Sequence, residues 1–177
     1  YYAEFAVANR FDCQDVIFVK RMLQHALPEE LRNIISDKLF AQYVGMDEAM
    51  FCRELYMDKY QLEQLVRDGM HVGCHGYDHY WWNKLDEKSL EVELTRSKEF
   101  LASIGCDMQN WTACYPYGSS SKEVVVELEK QGCKVAFTTE VRVADLALDG
   151  PLLLPRLDTN DLPKDKKASV NHWYESA

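Results

Sequence analysis

"GMHVGCHGYDHYWWNKLDEKSLEVELTRSKEFL", residues 69–101, changes character twice. Gly69 stands where a helix C′ glycine belongs, and residues 70–74 that follow it read as a strand. A polar and aromatic stretch then carries His75 and His79, four positions apart. From residue 86 the apolar period becomes helical, with Leu90, Leu94, Ser97, Leu101 and Ile104 on one face and Gly105 as the stop. Strand, loop and long helix in this order are the first half of a parallel βαβ unit.

The same alternation continues downstream. Residues 112–115 are expected to form a strand, 121–131 a helix closed by Gly132, and 134–139 a strand. Upstream, Asp58 with Gln61 has the form of a capping box, ahead of a helix whose inner face is Leu62, Leu65 and Val66. Earlier still, "YAEFAVA" at 2–8 reads as another strand. Between them lie three helical patterns: 14–26 on Val16, Val19, Met22, Leu23 and Ala26; one opened by Pro28 on Leu31, Ile34, Ile35, Leu39 and Tyr43; and 47–55. These give one domain over 1–163, in which 9–56 is a helical insertion packed by its own apolar stripe, followed by a polar tail over 164–177.

Composition limits the function. The 177 residues, 47% hydrophobic and 28% charged, are enough for one well-buried domain. A net charge of −9 opposes phosphate-backbone binding, so nucleic acid is not an expected partner. No apolar run reaches the roughly 20 residues of a membrane span. None of the six cysteines has C-x-x-C spacing, and buried, reduced thiols in a reducing compartment such as the cytoplasm are the expectation. The chain starts at Tyr1 rather than Met, so an upstream segment is expected.

In parallel α/β sheets and barrels, chemistry gathers at the C-terminal ends of the strands. His75 follows one strand end, and Tyr115-Pro116-Tyr117-Gly118 leaves the next. Imidazole suits Zn, Co, Ni and Fe, and an i, i+4 pair can converge on one ion. Two histidines that merely hydrogen-bond at a strand end fit the spacing as well. A zincin is disfavoured, because Gly76 follows His75 where that class needs its glutamate base. A closed structural site would need four ligands. Cys74 is the nearest candidate, and as a strand residue beside His75 it should point away.

The wider strings resemble the polysaccharide deacetylases, the NodB-homology family of carbohydrate esterases. Residues 69–101 are similar to their second motif, where a strand leads into H-S/T-x-x-H and a helix. "CYPYG" at 114–118 is similar to R-x-P-Y-G, "KVAFTTE" at 134–140 to the strand after it, and "LPRLDTNDLP" at 154–163 to a closing loop of one branch. The resemblance implies a distorted (β/α) barrel, partial at its N-terminus, with a divalent metal at its mouth. The metal would be Zn, or else Co, Ni or Fe, and the reaction the removal of N-acetyl groups from carbohydrate. It implies His75 and His79 as metal ligands and Tyr117 as the backbone donor to the oxyanion, in a loop shaped by Pro116 and Gly118. Substrate would be met by these two residues and by Tyr77, Arg156 and Asp158.

Three departures weigh against full activity. The T-F-D-D-G motif that supplies base and third ligand is absent; "RFDCQD" at 10–15 has Asp12 and Asp15 but not the paired form. Cys114 occupies the arginine position of the third motif. The late catalytic histidine has no clear match, since His172 lies in the polar tail. Arg156, Asp158 and Asp161 stand equally for a rim touching metal or sugar and for a surface salt bridge with turn caps. Asp78 reads as a solvated or capping residue. Tyr77, Tyr80, Trp81 and Trp82 could stack on sugar or pack as a strand-end core cluster, and Trp82 is expected in the core. The alternative function is a non-catalytic relative that binds glycan or a partner. Were 2–8 an exposed sheet edge, it would invite homo-oligomers.

Overall fold

The computed structural model describes residues 1–9 and 11–168; His172 and the rest of the tail beyond 168 lie outside the described residues, as does Arg10. Two compact units are present, residues 1–61 and 62–177.

The first unit is helical. The segment expected as a strand is instead helix α1, Tyr2–Phe5. Its backbone bonds locally, with the Glu4 and Phe5 N–H groups donating to the Tyr1 carbonyl at 3.0 and 2.9 Å. A strand needs a ladder partner and none among the described residues meets this segment, so the local helix satisfies its backbone. The sheet edge that would have invited oligomers therefore does not exist there. Helix α2, Gln14–Arg21, runs on into a π-helical turn, Met22–Ala26. Helix α3, Glu29–Tyr43, starts after Pro28, and α4, Glu48–Leu55, after Asp47, whose side chain accepts from the Met50 N–H at 3.1 Å. The expected apolar stripe of α3 is poorly covered: Ile35 is half-buried, but Leu31, Ile34 and Leu39 are about four-tenths exposed and Tyr43 is 75% exposed. Among the described residues of this unit only Ile17 is buried.

Helix α5, Lys59–Arg67, opens on the expected capping box, the Asp58 and Gln61 side chains each accepting the other's backbone N–H at 2.8 and 2.9 Å. Helices α5, α6 (Glu87–Ser103) and α7 (Lys122–Lys130) end alike. A glycine at positive φ (Gly69, Gly105, Gly132) closes each with paired Schellman bonds and turns the chain towards the sheet. Strands β1, Thr112–Cys114, and β2, Val135–Phe137, pair in parallel across α7. The expected strand at 70–74 contributes one bridge, Cys74 to Ala113, and Leu154 adds one to Phe137 on the far side. The result is an open parallel α/β sheet of two strands with a single bridge at each edge; among the described residues it does not close into a barrel. Trp82, Leu94, Trp111, Tyr115, Leu128 and Ala136 form its core, each with almost no exposed surface.

All six cysteines are free. Cys74 and Cys133 are buried as expected, but Cys13 and Cys52 are exposed, because the helices that carry them bury little. Burial pushes the Cys133 thiol up to about 11. No helix among the described residues is long and apolar enough to cross a membrane.

Candidate active site

Cys74 lies opposite Ala113 on the sheet: its N–H donates to the Thr112 carbonyl and its carbonyl accepts from the Cys114 N–H, both at 2.8 Å. That register puts His75 next to the Cys114 carbonyl, to which its Nδ1 lies at 2.9 Å. A carbonyl only accepts, so Nδ1 carries the proton and the Nε2 lone pair faces outward. His79 returns to the same point because its backbone adopts φ 58°, in the left-handed region. The two Nε2 atoms stand 3.1 Å apart and the rings cross at 72°. Burial, and then the neighbouring His75, hold the His79 imidazole below its usual range and so favour its neutral form.

This pair fits two corners of a metal site. Zn–N bonds of about 2.0–2.1 Å at a tetrahedral angle place two nitrogens about 3.3 Å apart. A ring anchored through Nδ1 to a backbone carbonyl is the usual support for a metal-binding Nε2. Among the described residues, however, no group of three His, Cys, Asp or Glu comes together to hold an ion. Asp12 and Asp15 belong to the helical unit, where Asp12 pairs with Lys20 and Asp15 accepts from the Tyr2 hydroxyl.

The second loop is built on Pro116–Gly118, a single 3₁₀ turn in which Tyr117 has φ 57°. Its ring meets His79 edge to face at 4.7 Å and stacks on Trp81 at 5.2 Å. Gly118, at φ 70°, passes so close to Thr139 that a Cβ would lie 2.2 Å from Oγ1. Buried Ser119 ties the loops together, donating to the Pro116 carbonyl at 2.6 Å and accepting from the Trp82 N–H at 3.0 Å. Arg156 lies against Cys114, Nη1 to Sγ 3.4 Å, with its guanidinium 6.0 Å from the Phe137 ring centre. Asp158 accepts from the Asn160 N–H and forms a reciprocal capping box with Asp161. Asp78 pairs with Arg96 at 3.1 Å, and the same guanidinium covers the Tyr77 ring at 3.8 Å.

Glu93, unnoticed in the sequence, is only 3% exposed. Its Oε1 accepts from the Tyr77 and Asp78 N–H groups at 2.8 and 3.0 Å. Burial raises its carboxyl and these bonds pull it back. The signal was an acid inside an apolar helical face, three residues after Leu90 and one before Leu94. Ser119 gave no comparable signal.

The histidine pair and the P-Y-G turn thus stand on neighbouring strand ends of one parallel α/β sheet. The chain belongs to the polysaccharide deacetylase family, whose model matches residues 38–136. Among solved structures it is similar to the Streptococcus pyogenes deacetylase PplD in complex with acetate. That likeness is 20% identity at TM-score 0.53 over 57% of this chain and 44% of PplD, and it is one of fold. IcaB from Ammonifex degensii is 26% identical at TM-score 0.49, over 59% of this chain and 48% of IcaB. The chain thus spans less than half the length of either. None of the curated proteins matches it.

Proposed function

We propose that this chain carries the site of a metal-dependent carbohydrate N-deacetylase, within what would be part of a (β/α) barrel. One observation carries the reading: two imidazole Nε2 atoms 3.1 Å apart, one fixed through Nδ1 to a backbone carbonyl. A divalent ion held there, zinc foremost, would acidify a bound water and polarise the amide carbonyl. His75 and His79 supply neutral nitrogen donors. The Tyr117 N–H is the oxyanion donor in this reading, and Pro116 and Gly118 fix the turn that presents it. Tyr77, Arg156 and Asp158 form the rim offered to an N-acetylated sugar.

The test is acetate release from N-acetylated oligosaccharides with added Zn or Co. Activity that chelation abolishes and metal restores, and that His75→Ala or His79→Ala removes, is expected. Metal binding unchanged in both variants would sink the reading. A second reading, a glycan-binding relative without hydrolysis, is favoured by the lack of a third ligand beside the pair among the described residues. It predicts saturable oligosaccharide binding with no acetate released.

A further inference from the structure

Helix α6 does more than cover the sheet. Glu93 is a carboxylate where the helix otherwise presents Leu90, Leu94 and Leu101, all buried. A leucine there would cost nothing in desolvation, whereas a buried carboxylate is costly unless donors surround it. The donors come from the loop between the histidines: Oε1 takes the Tyr77 N–H at 2.8 Å and the Asp78 N–H at 3.0 Å, and Oε2 lies 3.2 Å from the latter. Successive N–H groups turned to one anion form a nest, and a nest needs unusual backbone angles. Gly76 at φ 85° and His79 at φ 58° provide them. Gly76 stands where the family motif has Ser or Thr; a Cβ there would come 2.9 Å from Glu93 Oε1 and 3.3 Å from Pro116 Cγ. One turn on, Arg96 grips the outside of the same loop through Asp78 and the Tyr77 ring.

We propose that Glu93 is a positioning residue: its carboxylate, buried beneath residues 76–79, holds the loop in the left-handed bend that brings His79 Nε2 to His75 Nε2. The inference rests on the reading of the histidines as the working pair, and its test separates the two. Without acceptors, the Tyr77 and Asp78 amides, which turn inward to the buried Glu93 side chain, would lose their partners, the bend at His79 would relax, and the second nitrogen would leave the pincer.

The experiment uses the full chain. Glu93→Leu removes every acceptor at similar volume, Glu93→Gln keeps one carbonyl oxygen, and Leu101→Ala weakens α6 away from the loop. Read without metal are amide hydrogen exchange at Tyr77 and Asp78 and the ¹H–¹⁵N ring signals of His75 and His79; read with metal is zinc affinity by competition with a chromophoric chelator. In Glu93→Leu the two amides are expected to exchange at least about tenfold faster, the ring signals to move to free-imidazole positions, and zinc affinity to fall about 10–100-fold. Glu93→Gln should recover most of each, and Leu101→Ala should change none. Unchanged amides and rings in Glu93→Leu, equal damage in Glu93→Gln, or the same changes in Leu101→Ala would each overturn the proposal. Should Glu93→Leu not fold, Glu93→Asp withdraws the charge by one methylene, and unchanged exchange at Tyr77 and Asp78 in it overturns the proposal too. A wild-type chain that binds no zinc removes the metal reading alone, because the exchange and ring measurements still decide the role of Glu93.

Discussion

Gly118 is a residue at which the site tolerates no side chain. Its φ of 70° belongs to the left-handed region, and a Cβ would press on Thr139 Oγ1 at 2.2 Å and on the Thr139 Cβ and Cγ2 at 3.2 Å. Gly118→Ala should therefore destabilise the protein by about 1–3 kcal/mol in urea unfolding, from backbone strain and overpacking together. Thr139→Ala added to it should recover the steric part and leave the backbone part, a positive coupling that independent sites would not show. At this scale the sequence was informative where chemistry is local. The four-residue spacing beside a strand end marked His75 and His79, and the P-Y-G turn marked its own loop. Glu93 was hidden because its partners, Tyr77 and Asp78, precede it by about four helical turns of chain, and only the folding back of the loop brings them together. Asp158 caps a turn, an arrangement that only its neighbours in the fold disclose.

At the scale of elements, helices with both ends marked were legible. The capping residues Asp58, Asp86 and Ser121 and the closing glycines set α5, α6 and α7 nearly where the pattern placed them. Ser121 accepts the Val124 N–H at 3.3 Å, so Ser121→Ala should cost about 1 kcal/mol, visible as a lower melting temperature with no change in zinc affinity. Strands were harder, because a short apolar run does not say whether a ladder will meet it. Residues 2–8 found none among the described residues, with 2–5 turning into a helix, and 70–74 found a single bridge. The loop after β2 carries its own lock. Hydrogen bonds from Arg142, then from the Asp145 N–H, hold the Asp149 carboxyl down at about 2, against an ordinary 3.8. A depressed carboxyl contributes its stability above its unfolded value and loses it as pH falls through the folded one. The lock should thus be complete above about pH 4 and open towards pH 2. In Arg142→Gln the Asp149 titration, followed by NMR, should move up towards the ordinary value; an unmoved titration would mean that the guanidinium is not what holds it.

For the molecule as a whole, stability should be divided unequally between the two units. The sequence showed an apolar stripe on α3 and suggested a self-packed insertion, since a helical period reports which residues share a face and not whether anything covers it. In the first unit Ile17 is the buried residue, and Leu31, Ile34, Leu39 and Tyr43 stay open to solvent. In the second, Trp82, Leu94, Trp111, Tyr115 and Leu128 are closed off around the sheet. Helices of eight to 15 residues are marginal in water without tertiary burial, and local opening is easiest where few apolar contacts oppose it. Amides of α3 should accordingly exchange orders of magnitude faster than those of α6, and trypsin should cut first at Lys20, Arg21, Arg32, Lys38 and Arg53 while the region from 62 to 154 remains intact. The histidine loop lies wholly in the protected unit, so on the proposed metal reading zinc affinity should survive that first cleavage. Protection of α3 equal to that of α6 would show that the first unit is held by contacts beyond the one residue, Ile17, that is buried among its described residues, and zinc binding lost with the first cuts would show that the site draws on residues before 62.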